Sequence, residues 1–550
     1  MRFFKHVSAN NQTKTKFTII AVTALCLISL ALNLFQKQTT QACFNADEAA
    51  HGYNAYSILK TGRDEYGQPF PIRFKSFGEY KMPLYSYISI PFIAAFGLTV
   101  DSVRAPNMVA SLIFPIAIYM LASALFRRRS IALIACTIAT FSLGLHSVGR
   151  HAHEVYISTL AMVFALGFFV HAIDRKTWKW VIATILSLAI AMLGYQAGRI
   201  YALCFLFVAW VLVMRKTFPM KYALAMSIAV FILFIPDLFF APARVNSLFY
   251  FNSEGLHLKV LEYRTEGGNP IFFNKATVAL RDIVLKHAQY YAPQFLVERG
   301  DLNYRFGYQD MSMVNIVTYG FFLIGLFHIF RNPRQNSLIF LLFLIVAPVA
   351  GSLSWADISI TRTLFLLPLI HVAAAVGIYH SATSKIWQAH PSVGRYVMIF
   401  CVGAYGFYQL MTWQIFLYHY PNRDEVIVAQ QCGYAEVGKY LNDHPNFKNV
   451  YISKAAGQPY IYTLFFTKFD PDTYQQMARL TPADEYGFGQ VERFGKYEFN
   501  IPNPIPPGSL VIGVPTDLPN YESLSRLDPL QLEYVTKAGH QSFFFYIAPK

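Results

Sequence analysis

Charge is scarce in this chain. Only 14% of its 550 residues are Asp, Glu, Lys or Arg, against about a quarter in an ordinary soluble domain. A solvated globular surface therefore does not account for most of it. Cysteine is scarce as well: there are 6, none in a CxxC or other metal spacing, so a zinc framework or a dithiol redox motif is excluded. There is no GxxxxGK[ST] loop and no GxGxxG fingerprint, which argues against nucleotide hydrolysis and a soluble nucleotide-sugar site. No HExxH or HxxxH pair occurs, and no segment repeats internally, as many transporters do. The net charge is +15, but the basic residues lie in short clusters between apolar runs. That pattern speaks for membrane topology and against nucleic acid.

What is abundant is apolar and aromatic surface, at 55% and 16% of residues. Runs long enough to cross a bilayer, or nearly so, cover 17–35, 105–126, 131–147, 155–173, 179–194, 201–214, 222–240, 312–330, 337–353, 361–380 and 397–416. The first is too long for a signal-peptide core and is read as a retained span. A further stretch, 84–98, is decided by charge. If it does not span, Arg127–Arg129, Arg175/Lys176, Arg215/Lys216/Lys221, Arg331/Arg334 and Lys385/Arg395 all fall inside, as Lys/Arg excess in cytoplasmic loops requires. The expectation is an interfacial helix at 84–98 and about eleven spans, with the N-terminus cytoplasmic and the C-terminus outside. The tail, 417–550, has the size of a domain. "GYAEVGKYLNDHP" reads as a helix, and "NVYISK", "SLVIGVP" and "HQSFFFYIA" read as strands, which predicts a small extracytoplasmic α/β domain.

Long segments then collect on the outer face, and the polar residues with them. The first outer loop, 36–104, carries Asp47–Glu48, Asp64–Glu65, Glu79 and Lys81. A carboxylate at this position is either a general base for an attacking hydroxyl or a cap for the helix expected over "EAAHGYNAYSILK"; the residues alone leave both open. Lys81 suits a lipid-linked phosphate, or merely reaches up to water. The second outer loop has Arg150, His151, His153 and Glu154; the third has Tyr195, Gln196, Arg199 and Tyr201; Arg362 follows Trp355 and Asp357. Cations at one level, Lys81, Arg150, Arg199 and Arg362, suit the phosphate of a polyprenyl-phosphate sugar, although interfacial Arg and Tyr also simply anchor spans. Tyr53, Tyr85, Glu154 and Tyr195 are the candidates for substrate contact. The histidines beside Glu79 leave a divalent metal open. Cys43 and Cys432 both fall outside the membrane, as a possible disulfide or as two lone thiols.

The DE pair after the first span, the "YKMPLY" segment, "GRHAHEVYISTLAM", "GYQAGRIYALCFLF", "YYAPQFLVERGDLNYRFG" and, in the tail, "GQPYIYTLFFTKFDPDTYQ" and "FGKYEF" together resemble the GT-C glycosyltransferases. The resemblance is to the bacterial protein O-mannosyltransferase and lipid A aminoarabinose transferase group, and it covers most of the chain. It implies a polytopic α-helical membrane protein: a catalytic transmembrane module over 1–416, with outer loops 36–104 and 241–311, and a soluble domain over 417–550. It implies a bacterial plasma-membrane enzyme that inverts the anomeric centre of a polyprenyl-phosphate sugar and passes the sugar to a lipid, glycan or protein acceptor. By position, Asp47 would be the base and Glu48 its support, Lys81 would contact the donor phosphate, Glu79 would match a metal-binding carboxylate, and Glu154 would match an acidic residue of the second outer loop. The chain departs from the aminoarabinose pattern EKPP: Tyr80 separates Glu79 from Lys81, and Met82 precedes Pro83. That places both the metal and the sugar in question. A lipid-sugar flippase, a ligase or polymerase using a diphosphate-linked donor, and a non-catalytic assembly protein are the competing readings.

Overall fold

The computed structural model describes residues 2–35, 43–77, 79–240, 249–482, 489–515, 532–537 and 540–548. The chain divides into two compact units. One holds Met1–Lys37, Asn107–Arg150 and Glu154–Phe416; the other holds Gln38–Pro106, His151–His153 and Leu417–Lys550.

Among the described residues, seven helices are long and apolar enough to cross a membrane. They include Val100–Phe126, Glu154–Arg175, Ala197–Met214 and Leu366–Ala389. The chain is a multi-pass membrane protein. The expected span over 131–147 is broken into Arg129–Thr140 and Leu143–Gly149, bent by 56°. Ser142 leaves the helix for an extended conformation. The break frees carbonyls, and backbone polar groups at membrane depth must find partners within the protein. Here the Thr140 carbonyl meets His146 Nε2 at 2.7 Å, and the Phe141 carbonyl accepts from Gln409 Nε2 at 2.7 Å and Trp413 Nε1 at 3.4 Å. Other expected spans fall on the shorter helices Trp178–Gly194 and Ile316–Arg331 and on the 24-residue helix Pro391–Gln414. Close packing between spans uses small residues. A Cβ on Gly325 would strike the Ala373 carbonyl, and one on Gly377 the Phe321 carbonyl. The Leu84–Phe96 helix has 13 residues. It is about 20 Å long, short of the ~30 Å hydrocarbon core.

The long segment before Ile316 forms a helical hairpin, Glu254–Thr265 and Lys275–Gln289, capped by the side chains of Ser253 and Asn274. Leu256, Val260, Val278 and Ala279 form its small core, with Phe251 and Phe273 against it.

The second unit carries a mixed seven-stranded sheet. The strand order is Arg479–Leu480, Val491–Phe494, Tyr497–Glu498, Val450–Ile452, Leu510–Gly513, His540–Ile547 and Leu532–Lys537. Val450–Ile452 runs parallel to both its neighbours, and the other pairings are antiparallel. The expected strands and the expected helix, observed as Tyr434–Asp443, are all present. "PYIYTLFF" is a helix, Pro459–Phe466, whose Tyr460, Ile461, Leu464 and Phe465 are buried.

The first-loop helix Ala46–Thr61 belongs to this same unit. Gly52 meets Phe465 so closely that a Cβ would collide with the ring. Gln431 Oε1 accepts from the Ala46 N–H at 3.1 Å and from the Tyr462 hydroxyl at 2.8 Å. Gln475 Nε2 donates to the Asp64 carbonyl at 2.8 Å. Cys43 and Cys432 form a disulfide across 389 residues of sequence, with Cα atoms 5.2 Å apart. Cys43→Ser is expected to destabilise this unit by about 2–5 kcal/mol. Differential scanning fluorimetry in detergent reads it as a lowered midpoint, and an unchanged midpoint would show that the bond constrains little.

Candidate active site

The Ala46–Thr61 helix begins at Asn45. The Asn45 side chain accepts from the Glu48 N–H at 3.1 Å, and Glu48 Oε2 accepts from the Asn45 N–H at 3.1 Å, a reciprocal capping box. Asn45 rather than Asp47 is therefore the cap. The two acids of the DE pair are adjacent in sequence, so they leave the helix about 100° apart and meet different surroundings.

Glu48 turns inward and is buried, with 1% of its side chain exposed. Its Oε1 accepts from Arg104 Nε and from the Ala152 N–H, both at 2.7 Å. Its Oε2 also accepts from Arg104 Nη2 at 2.7 Å, and His151 Nδ1 stands 3.7 Å away. Burial alone would push this carboxyl up. The Arg104 charge and its hydrogen bonds, helped by His151, outweigh burial and hold it well below the usual carboxylate range. Arg104 also donates to the Cys43 carbonyl at 3.2 Å and lies over the Phe44 ring. Glu48 is thus a fixed anion that ties together the helix start, the residues 151–152 and the Arg104 turn. Sequence reading passed over Arg104. Its signal was an arginine within the first turns of a 27-residue apolar helix, Val100–Phe126.

Asp47 turns outward. Its side chain is 45% exposed, and Oδ1 accepts from Lys81 Nζ at 2.6 Å. Lys81 is 6% exposed and is carried on Glu79–Lys81, which pairs antiparallel with Phe74–Ser76 in the register Phe74↔Lys81. The Phe77 ring lies 4.8 Å from its ammonium. Asp47 also sits in the first helical turn, where the helix dipole favours negative charge. The result is an accessible carboxylate with a buried cation against it.

Tyr53 and Tyr85, the candidates for substrate contact in this unit, point inward. Both are buried, with their hydroxyls on backbone carbonyls at 3.0 Å, Tyr53 on Phe469 and Tyr85 on Val103. They pack the core of the unit. The Glu79 side chain lies outside the described residues. Among the described residues no three His, Cys, Asp or Glu side chains converge as a metal site.

Glu65 is a second buried acid that sequence reading noted without a role. Asn54 exchanges hydrogen bonds with it, Nδ2 to Oε1 at 3.3 Å and Glu65 N–H to Asn54 Oδ1 at 3.0 Å, and Oε2 has no partner among the described residues. Burial pushes its carboxyl up to about 8; Asp64 adds to the shift, while Asn54 and Lys81 oppose it.

The remaining candidates belong to the helical unit. Arg150 is buried, donates to the Phe35 carbonyl at 2.7 Å and lies over Phe416. Arg199 pairs with Asp237 at 2.5 Å. Arg362 is half-buried and donates to the Asp357 carbonyl at 2.9 Å. Its segment is pinned by Asp301, which accepts from the Ile360 N–H at 2.7 Å and the Ser359 hydroxyl at 2.9 Å and is pushed up to about 6 by burial. Glu154 opens the Glu154–Arg175 helix, and Tyr195 sits half-buried at the break after Gly194; both are partly exposed.

The family model for dolichyl-phosphate-mannose-protein mannosyltransferases matches residues 80–240. No curated protein matches the sequence. Among solved structures, ArnT from Cupriavidus metallidurans in the apo state is similar with a TM-score of 0.54 and 12% identity, over 97% of this chain and 98% of that one. Its structure bound to undecaprenyl phosphate gives 0.52 and 12%, over 96% and 97%. The oligosaccharyltransferase AglB from Archaeoglobus fulgidus, in complex with an inhibitory peptide and a dolichol-phosphate, gives 0.49 and 13% over 82% of this chain; this chain spans 64% of that one's length. At these identities the likeness is one of fold. The fold is the one seen in ArnT from Cupriavidus metallidurans.

Two stability outcomes follow from the acids. Glu48→Gln leaves Arg104 buried without its counter-charge and is expected to cost about 3–5 kcal/mol. Asp47→Asn, whose own side chain is 45% exposed although its Lys81 partner is buried, is expected to cost less, on the order of 1–2 kcal/mol. Thermal midpoints in detergent compare the two, and equal losses would contradict the division of roles. Glu65, with its pKa raised in the folded chain, favours folding fully below its unfolded value of about 4.3. That contribution is lost as pH rises toward about 8. Glu65→Gln is expected to remove this fall and to be the more stable form at pH 8, by on the order of a few kcal/mol. Parallel midpoint–pH curves for the two proteins would contradict it.

Proposed function

We propose that this chain is an inverting glycosyltransferase that moves a sugar from a polyprenyl-phosphate donor to an acceptor hydroxyl or phosphate on the extracytoplasmic side of a bacterial plasma membrane. The observation that carries the proposal is the division within the DE pair: Glu48 locked on Arg104, Asp47 exposed and resting on Lys81.

A single in-line displacement needs a base on the acceptor side and positive charge on the leaving side. Asp47 takes the proton of the acceptor hydroxyl as its oxygen attacks the anomeric carbon. The bond from that carbon to the phosphate oxygen breaks, and polyprenyl phosphate leaves with the electron pair. Lys81 has three N–H donors, of which Asp47 takes one, so its ammonium can also face a phosphate oxygen. In the helical unit, Arg362 suits a phosphate as well: among the described residues its guanidinium donates one hydrogen bond, to the Asp357 carbonyl. Arg150 and Arg199, already engaged on Phe35 and Asp237, serve that unit's packing first. No step is routed through a metal. The donor carries its activation in the sugar–phosphate bond, so the absence of a nucleotide-binding motif agrees with the scheme.

The extracytoplasmic assignment draws on two independent facts. Five basic clusters fall on the other side once Leu84–Phe96 does not span. The unit that holds Asp47 also holds a disulfide, a bond that persists in oxidising compartments.

The test uses the full chain in lipid nanodiscs with short-chain polyprenyl phosphates carrying mannose, glucose or aminoarabinose. Release of polyprenyl phosphate is expected with at least one donor in the presence of an envelope lipid or glycan extract. Asp47→Asn is expected to lower the rate by about 10²–10⁴-fold while the protein stays folded, with a thermal midpoint above that of Glu48→Gln. Near wild-type turnover in that variant would remove Asp47 from the role of base.

A further inference from the structure

Within the helical unit, under the helical hairpin of residues 254–289, lies a cavity of about 440 Å³ that the scheme above does not use. That volume is in the range of sites for small organic ligands. Its wall combines three kinds of group. Trp355, 54% exposed, supplies a flat aromatic face. Asp282, Asp357 and Gln289 supply acceptors and an amide. Lys259 and Lys286 supply cations.

Several of these groups are already oriented. Asp282 Oδ2 accepts from the Tyr250 hydroxyl at 2.6 Å and from Lys259 Nζ at 2.7 Å, while no hydrogen bond to Oδ1 is found among the described residues. Lys286 donates to the Ser354 carbonyl at 2.7 Å and to the Ala356 carbonyl, which fixes its ammonium at the wall. Burial pushes Lys286 down to about 8, with the Arg362 charge adding and Asp357 opposing. Among the described residues, the Asp357 carboxylate and the Gln289 side-chain amide make no hydrogen bond to the protein.

The charges that line the wall, Lys259 and Lys286 against Asp282 and Asp357, sum to zero, with Arg362 close by but outside the lining. An anionic headgroup gains little there, because two carboxylates oppose it. A fully apolar ligand would cover the Asp357 carboxylate and the Gln289 amide without replacing their water. A neutral polyhydroxylated ring fits both constraints. Its hydroxyls donate to Asp282 Oδ1 and Asp357, its oxygens accept from Lys286 and Gln289, and its C–H face lies against Trp355. The geometry points to this cavity as a binding site for a saccharide, the carbohydrate part of the acceptor. The word acceptor rests on the proposed transfer reaction; the binding itself does not.

The probes are free glucose, galactose and N-acetylglucosamine, their β-linked disaccharides and, separately, inorganic phosphate, titrated into the full chain in nanodiscs. Saturation-transfer NMR and calorimetry read binding without turnover. At least one sugar is expected to saturate in the millimolar range. Trp355→Ala and Asp357→Asn, both at exposed positions, are each expected to weaken it about tenfold or more with unchanged thermal midpoints. No saturable sugar, full binding in both variants, or phosphate binding tighter than any sugar overturns the assignment. Donor cleavage without sugar binding sinks this assignment and leaves the transfer reaction standing. Sugar binding without donor cleavage does the reverse.

Discussion

The Glu48–Arg104 pair is the interaction on which the candidate site depends. Two opposite charges are removed from water, and each is held by more than one hydrogen bond. Such a pair adds little net stability, because desolvation offsets most of the attraction, but either partner alone is costly. Its effect is geometric. One carboxylate meets Arg104, the helix start at Asn45 and the backbone at Ala152. Asp47, one residue earlier, leaves the helix in another direction and is 45% exposed.

Much of this was legible beforehand. The apolar runs announced the spans, and β-branched and aromatic clusters in the tail announced Val450–Ile452, Leu510–Gly513 and His540–Ile547. The DE pair was visible because acids are rare in this chain. What the pair does was not. Whether Asp47 caps the helix turns on where the helix starts, and Asn45, one residue before Ala46, takes that place. Arg104 lies 56 residues beyond Glu48, and no local periodicity reports such a contact. The burial of Tyr53 and Tyr85 was not legible for a general reason: tyrosine has an apolar body and a polar tip, and a backbone carbonyl satisfies the tip inside a core.

The same limit applies to larger pieces. By sequence the first outer loop and the tail look like parts of different modules. In the structure, residues 38–106 and 417–550 form one unit, joined by the Gln431 and Gln475 side chains and by packing around Gly52. The broken span at Ser142 shows the converse. There a uniformly apolar stretch concealed a bend, because the partners that satisfy it, Gln409 and Trp413, come from a helix more than 260 residues later.

The Cys43–Cys432 bond has a consequence for biosynthesis. Cys43 leaves the ribosome 389 residues before its partner. At ~5–20 residues per second that is a wait of roughly 20–80 s. During that interval six of the seven membrane-length apolar helices among the described residues are made. Quality control of this chain therefore has a built-in end point: pairing is possible only after nearly all the hydrophobic helices are in place, so a correct crosslink certifies an almost finished molecule.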